Sequence, residues 1–177
     1  VNGNFGYLHA GKIPIRGEAN GWRIVPGWTG ECDWKGYIPH AELPRSINPD
    51  IGYTVTCNQR VTDHQYPYYV GLYFSPEHRA KRVQARILEL EFGQATVEKM
   101  KQIHTDIISI PAQVFTERLI QVRSSDRDTA QAQSLLQEWD YSMDRNLVQP
   151  LIYAQTKREV TRQIAQVLLG DQADLVL

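Results

Sequence analysis

The hydrophobic rhythm of the chain changes near residue 75. Before it, apolar residues come in short alternating runs between glycines and prolines; after it they recur every three to four positions. Phe5, Tyr7 and His9 alternate with small residues. Residues 4–16 therefore read as a strand, a turn at Gly11-Lys12 and a second short strand through Ile13-Pro14-Ile15, where the residue before proline is pushed into extended backbone. Residues 17–23 are polar and read as an exposed loop. Pro26, Pro39, Pro44 and Pro49, with Pro14 just upstream, keep residues 25–49 out of any helix interior. Little regular structure is expected there beyond one helical turn at Ala41-Glu42-Leu43. Residues 52–58 give the clearest strand, with Tyr53, Val55 and Cys57 alternating with Thr54 and Thr56. The polar run that follows ends it at or near Asn58.

The second half reads as five helices. Ala80, Val83, Ile87 and Leu90 share a face over residues 77–91. Thr96 caps a second helix, with Glu98 in its first turn and Val97, Met100, Ile103 or His104, and Ile107 on its apolar side. His104 is expected to pack into a core. Pro111 opens a third helix, where its missing N–H is not needed, with Phe115, Leu119 and Val122 inward. Asp126 or Asp128 caps a fourth, carrying Ala132, Leu135, Leu136 and Trp139. A fifth runs from about Leu151 to Leu169 with Tyr153, Val160, Ile164, Val167 and Leu168, and Gly170 stops it. The expected fold class is α+β: a β and irregular N-terminal half (1–75) followed by a helical C-terminal half (76–177).

Composition narrows the function classes. A formal charge of -1 over 177 residues argues against nucleic acid as a partner, which calls for a basic stripe. No apolar run approaches the roughly 18 residues of a membrane span. The first residues have neither the basic start nor the apolar stretch of a signal peptide, and there is no initiating Met. The chain is therefore expected to begin inside a larger protein or after processing. Cys32 and Cys57 make no metal-ligand pair; two separate thiols and one disulfide both remain open. Histidines 9, 40, 64, 78 and 104 are scattered without ligand spacing, and no glycine-rich phosphate loop appears.

The candidate chemistry lies between Pro26 and Tyr69, where Trp, Tyr, Gly and Pro are densest. It contains Pro26-Gly27-Trp28, Trp34-Lys35-Gly36-Tyr37-Ile38-Pro39, Asn48-Pro49, the run from Gly52 to Asn58, and Tyr66-Pro67-Tyr68. Glycines and prolines fix turns, and aromatics wall a pocket or fill a core. Trp28, Trp34, Tyr37, Tyr66 and Tyr68 are the candidate substrate-binding residues, with core filling the other reading.

These blocks, preceded by Gly11-Lys12-Ile13-Pro14-Ile15-Arg16, resemble in order and spacing the penicillin acylase (penicillin amidase) family of N-terminal-nucleophile amidohydrolases. The resemblance is strong over residues 4–88 and weaker beyond. It implies a partial N-terminal-nucleophile hydrolase fold, one incomplete domain of a larger exported enzyme, periplasmic or extracellular. In the family a serine at the start of the β chain attacks an amide, and its own amine is the base. Val1 has no nucleophile, so the resemblance implies partners: an α chain and a Ser-bearing N-terminal part of the β chain. The isolated chain is then expected to be inactive. The implied substrate is a small-molecule acyl amide such as a β-lactam side chain or an acyl-homoserine lactone. The family's oxyanion-hole asparagine falls on Asn58, a residue type that elsewhere often just turns the chain. The family arginine that orients it falls best on Arg82, with Arg79 the alternative. No cofactor is expected. A structural calcium site of some members has its aspartate at the position of Val70, which cannot ligate, so no metal is expected from these residues. The competing reading is a non-catalytic binding module whose aromatic groove, with Tyr69 added, grips a peptide, sugar or acyl ligand.

Overall fold

The computed structural model describes residues 2–17, 21–91 and 93–175. Two compact units form, Val1–Ala80 and Lys81–Leu177. The described residues hold a two-stranded sheet and five α-helices, an α-rich α+β chain.

In the first unit β1 (Gly6–Leu8) pairs antiparallel with β2 (Arg45–Ile47), with Gly6 opposite Ile47 and Leu8 opposite Arg45. The ribbon continues irregularly. His9 N–H donates to Pro44 O at 2.9 Å, and residues 13–15 lie against 35–38 through Ile15 N to Gly36 O, Lys35 N to Ile15 O and Ile38 N to Ile13 O. The expected second strand is thus reduced to a single bridge, Pro14 to Tyr37, because proline has no N–H to extend it. β2 itself was not expected among the prolines. It forms because Asn48, at φ 46°, caps its end: Asn48 Oδ1 accepts from Phe5 N at 2.9 Å and Asn48 N donates to Phe5 O at 3.0 Å. The expected helical turn is present as a 3-10 turn at His40–Glu42. Ile38 and Leu43 are the buried hydrophobics of this unit. Gly17 is buried, and a Cβ there would lie 3.1 Å from the Cys32 Cα.

The strand expected over residues 52–58 is not formed. A strand needs a partner for its alternate N–H and C=O groups. Here the Gln59 side chain takes one such place: its Oε1 accepts from Cys57 N at 2.6 Å and its Nε2 donates to Val55 O at 2.9 Å.

The second unit takes the end of α1 (His78–Leu88) and then α2 (Val97–His104), α3 (Ile110–Leu119), α4 (Arg127–Gln137) and α5 (Gln149–Leu169). The caps follow the sequence. Thr96 Oγ1 accepts from Lys99 N, Ser109 Oγ from Ala112 N and Asp126 Oδ2 from Thr129 N, while Gly170 ends α5 at φ 54°. Each satisfies a donor or a turn that the helix alone leaves open. His104 is exposed at the end of α2 rather than packed, because that helix is too short to bury its last turn.

The core of this unit is Ala112, Leu136, Trp139 and Tyr153, with Phe115, Leu119, Ile120, Tyr141 and Ile152 against it. Trp139 stands at the centre. Its ring lies 5.7 Å from Tyr141 and 5.9 Å from Tyr153, and its Nε1–H donates to Ser142 O at 2.9 Å. That bond holds the 139–142 turn, from which Tyr141 O accepts the Ser109 N–H at the start of α3. The far end of α5 is barer: Ile164 is 54% and Val167 85% exposed, so the face expected inward buries only Tyr153.

Asp106, between α2 and α3, anchors α1. Arg82 Nε and Nη2 donate to its two carboxylate oxygens at 2.8 and 2.6 Å, and Ile108 N donates to Oδ1 at 3.1 Å. The Arg82 fork, aided by the Ile108 N–H and Arg86, holds the Asp106 carboxyl below its ordinary range. A depressed carboxyl pKa stabilises the folded state above the unfolded value and loses that contribution as pH falls through the folded one. Asp106→Asn should therefore cost about 1.5–3 kcal/mol near neutral pH, the scale of hydrogen bonds to a charged group. In urea unfolding the gap between the two proteins should close as pH drops below the carboxylate range. Trp139→Ala should cost about 3–5 kcal/mol in the same measurement, through the cavity and the freed Ser142 carbonyl.

Candidate functional site

Asn58 sits where the extended run of residues 53–57 turns back. Its backbone is left-handed, φ 65°, a conformation that asparagine tolerates better than other side-chain-bearing residues. Its C=O accepts from Ser75 N at 2.8 Å. Arg79, in the first turn of α1, reaches the same place. Arg79 Nη2 donates to Asn58 Oδ1 at 2.9 Å, to Cys57 O at 2.7 Å and to Ser75 Oγ at 3.3 Å. The neighbouring Arg60 lies over the Phe74 ring at 4.4 Å, tying the two loops together a second time. All of these residues belong to the first unit.

The amide orientation follows from donor chemistry. A guanidinium has no acceptor, so the Asn58 atom facing Arg79 is the oxygen. The Nδ2 amide is then the end of the carboxamide turned away from the guanidinium. An exposed carboxamide with its oxygen held by a cation presents two polarised N–H donors. Such a group can stabilise a negative oxygen without taking on charge.

Arg82, the better sequence match to an orienting arginine, is committed to Asp106 in the second unit. Arg79, the alternative, makes the contact. One residue of loop length separates the two readings, and spacing alone did not resolve it.

The five aromatics form two pairs and a single. Trp34 and Tyr37 meet edge to face at 6.2 Å, with Arg16 over Trp34 at 5.6 Å and Lys12 over Tyr37 at 5.8 Å. Tyr66 and Tyr68 meet at 5.8 Å, and both hydroxyls bind Glu42: Tyr66 Oη donates to its backbone O at 2.9 Å and Tyr68 Oη to Oε2 at 2.5 Å. The hydrogen bond to Glu42 raises the Tyr68 phenol, and burial with the Glu42 charge raises that of Tyr66. Asp63 Oδ1 accepts from Gln65 N and Tyr66 N, which fixes the turn before this pair. Trp28 is 88% exposed. None of the five lines the larger cleft, of about 630 Å³, whose walls are Ile13, Pro14, Arg16, residues 21–24 and residues 69–73. Tyr69 does line it. Trp22, Arg23 and Tyr73 in that wall were not singled out from the sequence; the first two sit in the run that reads as exposed loop. A smaller cleft of about 230 Å³ lies along residues 54–56, Gln59 and the β1–β2 ribbon.

Among the described residues no three His, Cys, Asp or Glu side chains gather as metal ligands, and no helix is long and apolar enough to cross a membrane. Cys32 and Cys57 are unpaired.

The chain is 33% identical over 166 residues to a penicillin acylase 2 proenzyme of Pseudomonas sp. (strain SE83), covering 93% of this chain and 21% of that protein. It is 25% identical over 180 residues to the acyl-homoserine lactone acylase QuiP of Pseudomonas fluorescens (strain Pf0-1), covering 96% of this chain and 22% of that one. The chain thus spans about a fifth of the length of these relatives. A thermostable penicillin G acylase from Alcaligenes faecalis shares the fold, with a TM-score of 0.58 at 20% identity over 78% of this chain and 26% of that one. The penicillin amidase family model matches residues 1–176, and on that match the chain belongs to the penicillin amidase family.

Proposed function

We propose that this chain forms part of an amidohydrolase that cleaves an acyl amide through an acyl-enzyme, and that Asn58 donates to the oxyanion of the tetrahedral intermediate. The observation that carries the reading is the Arg79 to Asn58 Oδ1 bond, which turns the Nδ2 donors outward. Membership of a family of amidohydrolases supports the reaction class. Relatives named as a penicillin acylase and an acyl-homoserine lactone acylase support an acyl amide as substrate, such as a β-lactam side chain or an acyl-homoserine lactone.

In this reading a serine hydroxyl from the remainder of the hydrolase, which also supplies an α chain, attacks the amide carbonyl. Charge then moves onto the carbonyl oxygen. The Asn58 Nδ2–H meets it, and Arg79, bonded to the other end of the same carboxamide, polarises the donor and holds its orientation. Arg79 touches no reacting atom and acts as a positioning residue. The pair needs no reorganisation as charge develops, because four hydrogen bonds to Cys57, Asn58 and Ser75 already fix it.

The test uses the full polypeptide that carries residues 1–177, assayed on a panel of acyl p-nitroanilides. Asn58→Gly keeps the left-handed backbone and removes the donor; kcat should fall by about 100- to 1000-fold with little change in KM. Wild-type turnover in Asn58→Gly would overturn the assignment. Arg79→Lys keeps the charge but not the fork and should lower kcat by about tenfold, the loss of one hydrogen bond, while Arg82→Lys should leave kcat near wild type.

A further inference from the structure

We infer that Gln59 is a positioning residue for the Asn58 donor: its side chain braces the extended run that leads into Asn58 and thereby sets the turn on which Asn58 stands. The inference rests on the oxyanion reading of Asn58. In extended backbone the C=O of one residue and the N–H of the residue two further on face the same side, flanking the residue between them. Val55 O and Cys57 N are such a pair around Thr56. A partner strand would fill that edge with one donor and one acceptor. The Gln59 carboxamide does so instead, with Nε2 on Val55 O at 2.9 Å and Oε1 on Cys57 N at 2.6 Å.

The consequence falls on Asn58. The chain must return within two residues for the Gln59 side chain to reach the backbone it has just left. The left-handed φ of 65° at Asn58 is the turn that allows it. Gln59 grips residues 55 and 57 from one side, and Arg79 takes Cys57 O and Asn58 Oδ1. Ser75 N holds the Asn58 carbonyl. Cys57 N, Cys57 O, Asn58 Oδ1 and Asn58 O are thus all held, by Gln59, Arg79 and Ser75 between them, so the turn and the Asn58 carboxamide are fixed together. Gln59 is half-buried and lines the smaller cleft beside Thr54, Val55 and Thr56, so its amide bonds are partly shielded from competing water.

The chemistry is specific to a carboxamide. Glutamate accepts from Cys57 N but sets a carboxylate oxygen against Val55 O. Leucine fills the space and makes neither bond. Asparagine is one methylene too short to span both partners.

The experiment is a mutant cycle in the full polypeptide, read on the same acyl p-nitroanilides. Gln59→Leu and Gln59→Glu should each lower kcat by about tenfold with KM within about twofold, as expected for loosened orientation of a transition-state donor. In the Asn58→Gly background the same substitutions should change kcat by less than about twofold, since the group they position is gone. For Gln59→Glu the loss should shrink as pH falls through the carboxylate range, because the protonated acid regains a donor for Val55 O. Equal losses in both backgrounds, or a change confined to KM, would overturn the positioning role while leaving Asn58 in place. Wild-type turnover in Asn58→Gly alone would instead sink the oxyanion reading itself. Soluble expression of Gln59→Glu keeps the cycle readable where the apolar variant does not fold.

Discussion

A guanidinium can donate but never accept, and the candidate site hangs on that asymmetry. Arg79 has no choice but to meet the oxygen of Asn58, so the carboxamide is aimed by the chemistry of its neighbour and not by packing. The same nitrogen also meets the Cys57 carbonyl and the Ser75 hydroxyl, which places the arginine on the turn as well as on the side chain. Removing the charge would free the amide to rotate and to offer either end outward. The first turn of α1 thus has a second role beside starting a helix: it delivers a cation to a loop that is irregular on every other side.

Much of the second unit was legible in the sequence because its signals are local. Thr96, Asp126, Pro111 and Gly170 act within four residues of themselves, and each stands where the structure uses it. The first unit was harder to read for the opposite reason. β2 owes its existence to Asn48 meeting Phe5, 43 residues away, and no periodicity in a three-residue strand announces that. The run from Tyr53 to Cys57 alternates as a strand should, yet pairing is a property of two segments, and its edge is filled by Gln59. His104 showed the limit of periodicity on short helices: the face continued on paper past the last turn that could be covered.

The site divides along the same line. Asn58 is proposed from its resemblance to a family pattern, and the left-handed turn gives a separate, conformational reason for asparagine there. The arginine was ambiguous because Arg79 and Arg82, three positions apart, lie on neighbouring positions of one helix face. Their partners differ: Arg79 meets Asn58, and Arg82 has an acid of its own in Asp106. Four of the five candidate aromatics have partners of their own within the fold. Tyr66 and Tyr68 spend their hydroxyls on Glu42, while Trp34 and Tyr37 stack under cations from the facing segment.

Gly17 carries a consequence for anyone seeking to rigidify this chain. Replacing glycine by alanine commonly stabilises a protein by narrowing the disordered ensemble, and Gly27, with open space around it and no left-handed backbone, suits that strategy. At Gly17 the same methyl would press on the main chain of Glu31 and Cys32, which has no flexible tip to swing aside. The entropic gain and the steric cost therefore have opposite signs at two glycines only ten positions apart, and a consensus-style sweep through the loop glycines would average them away.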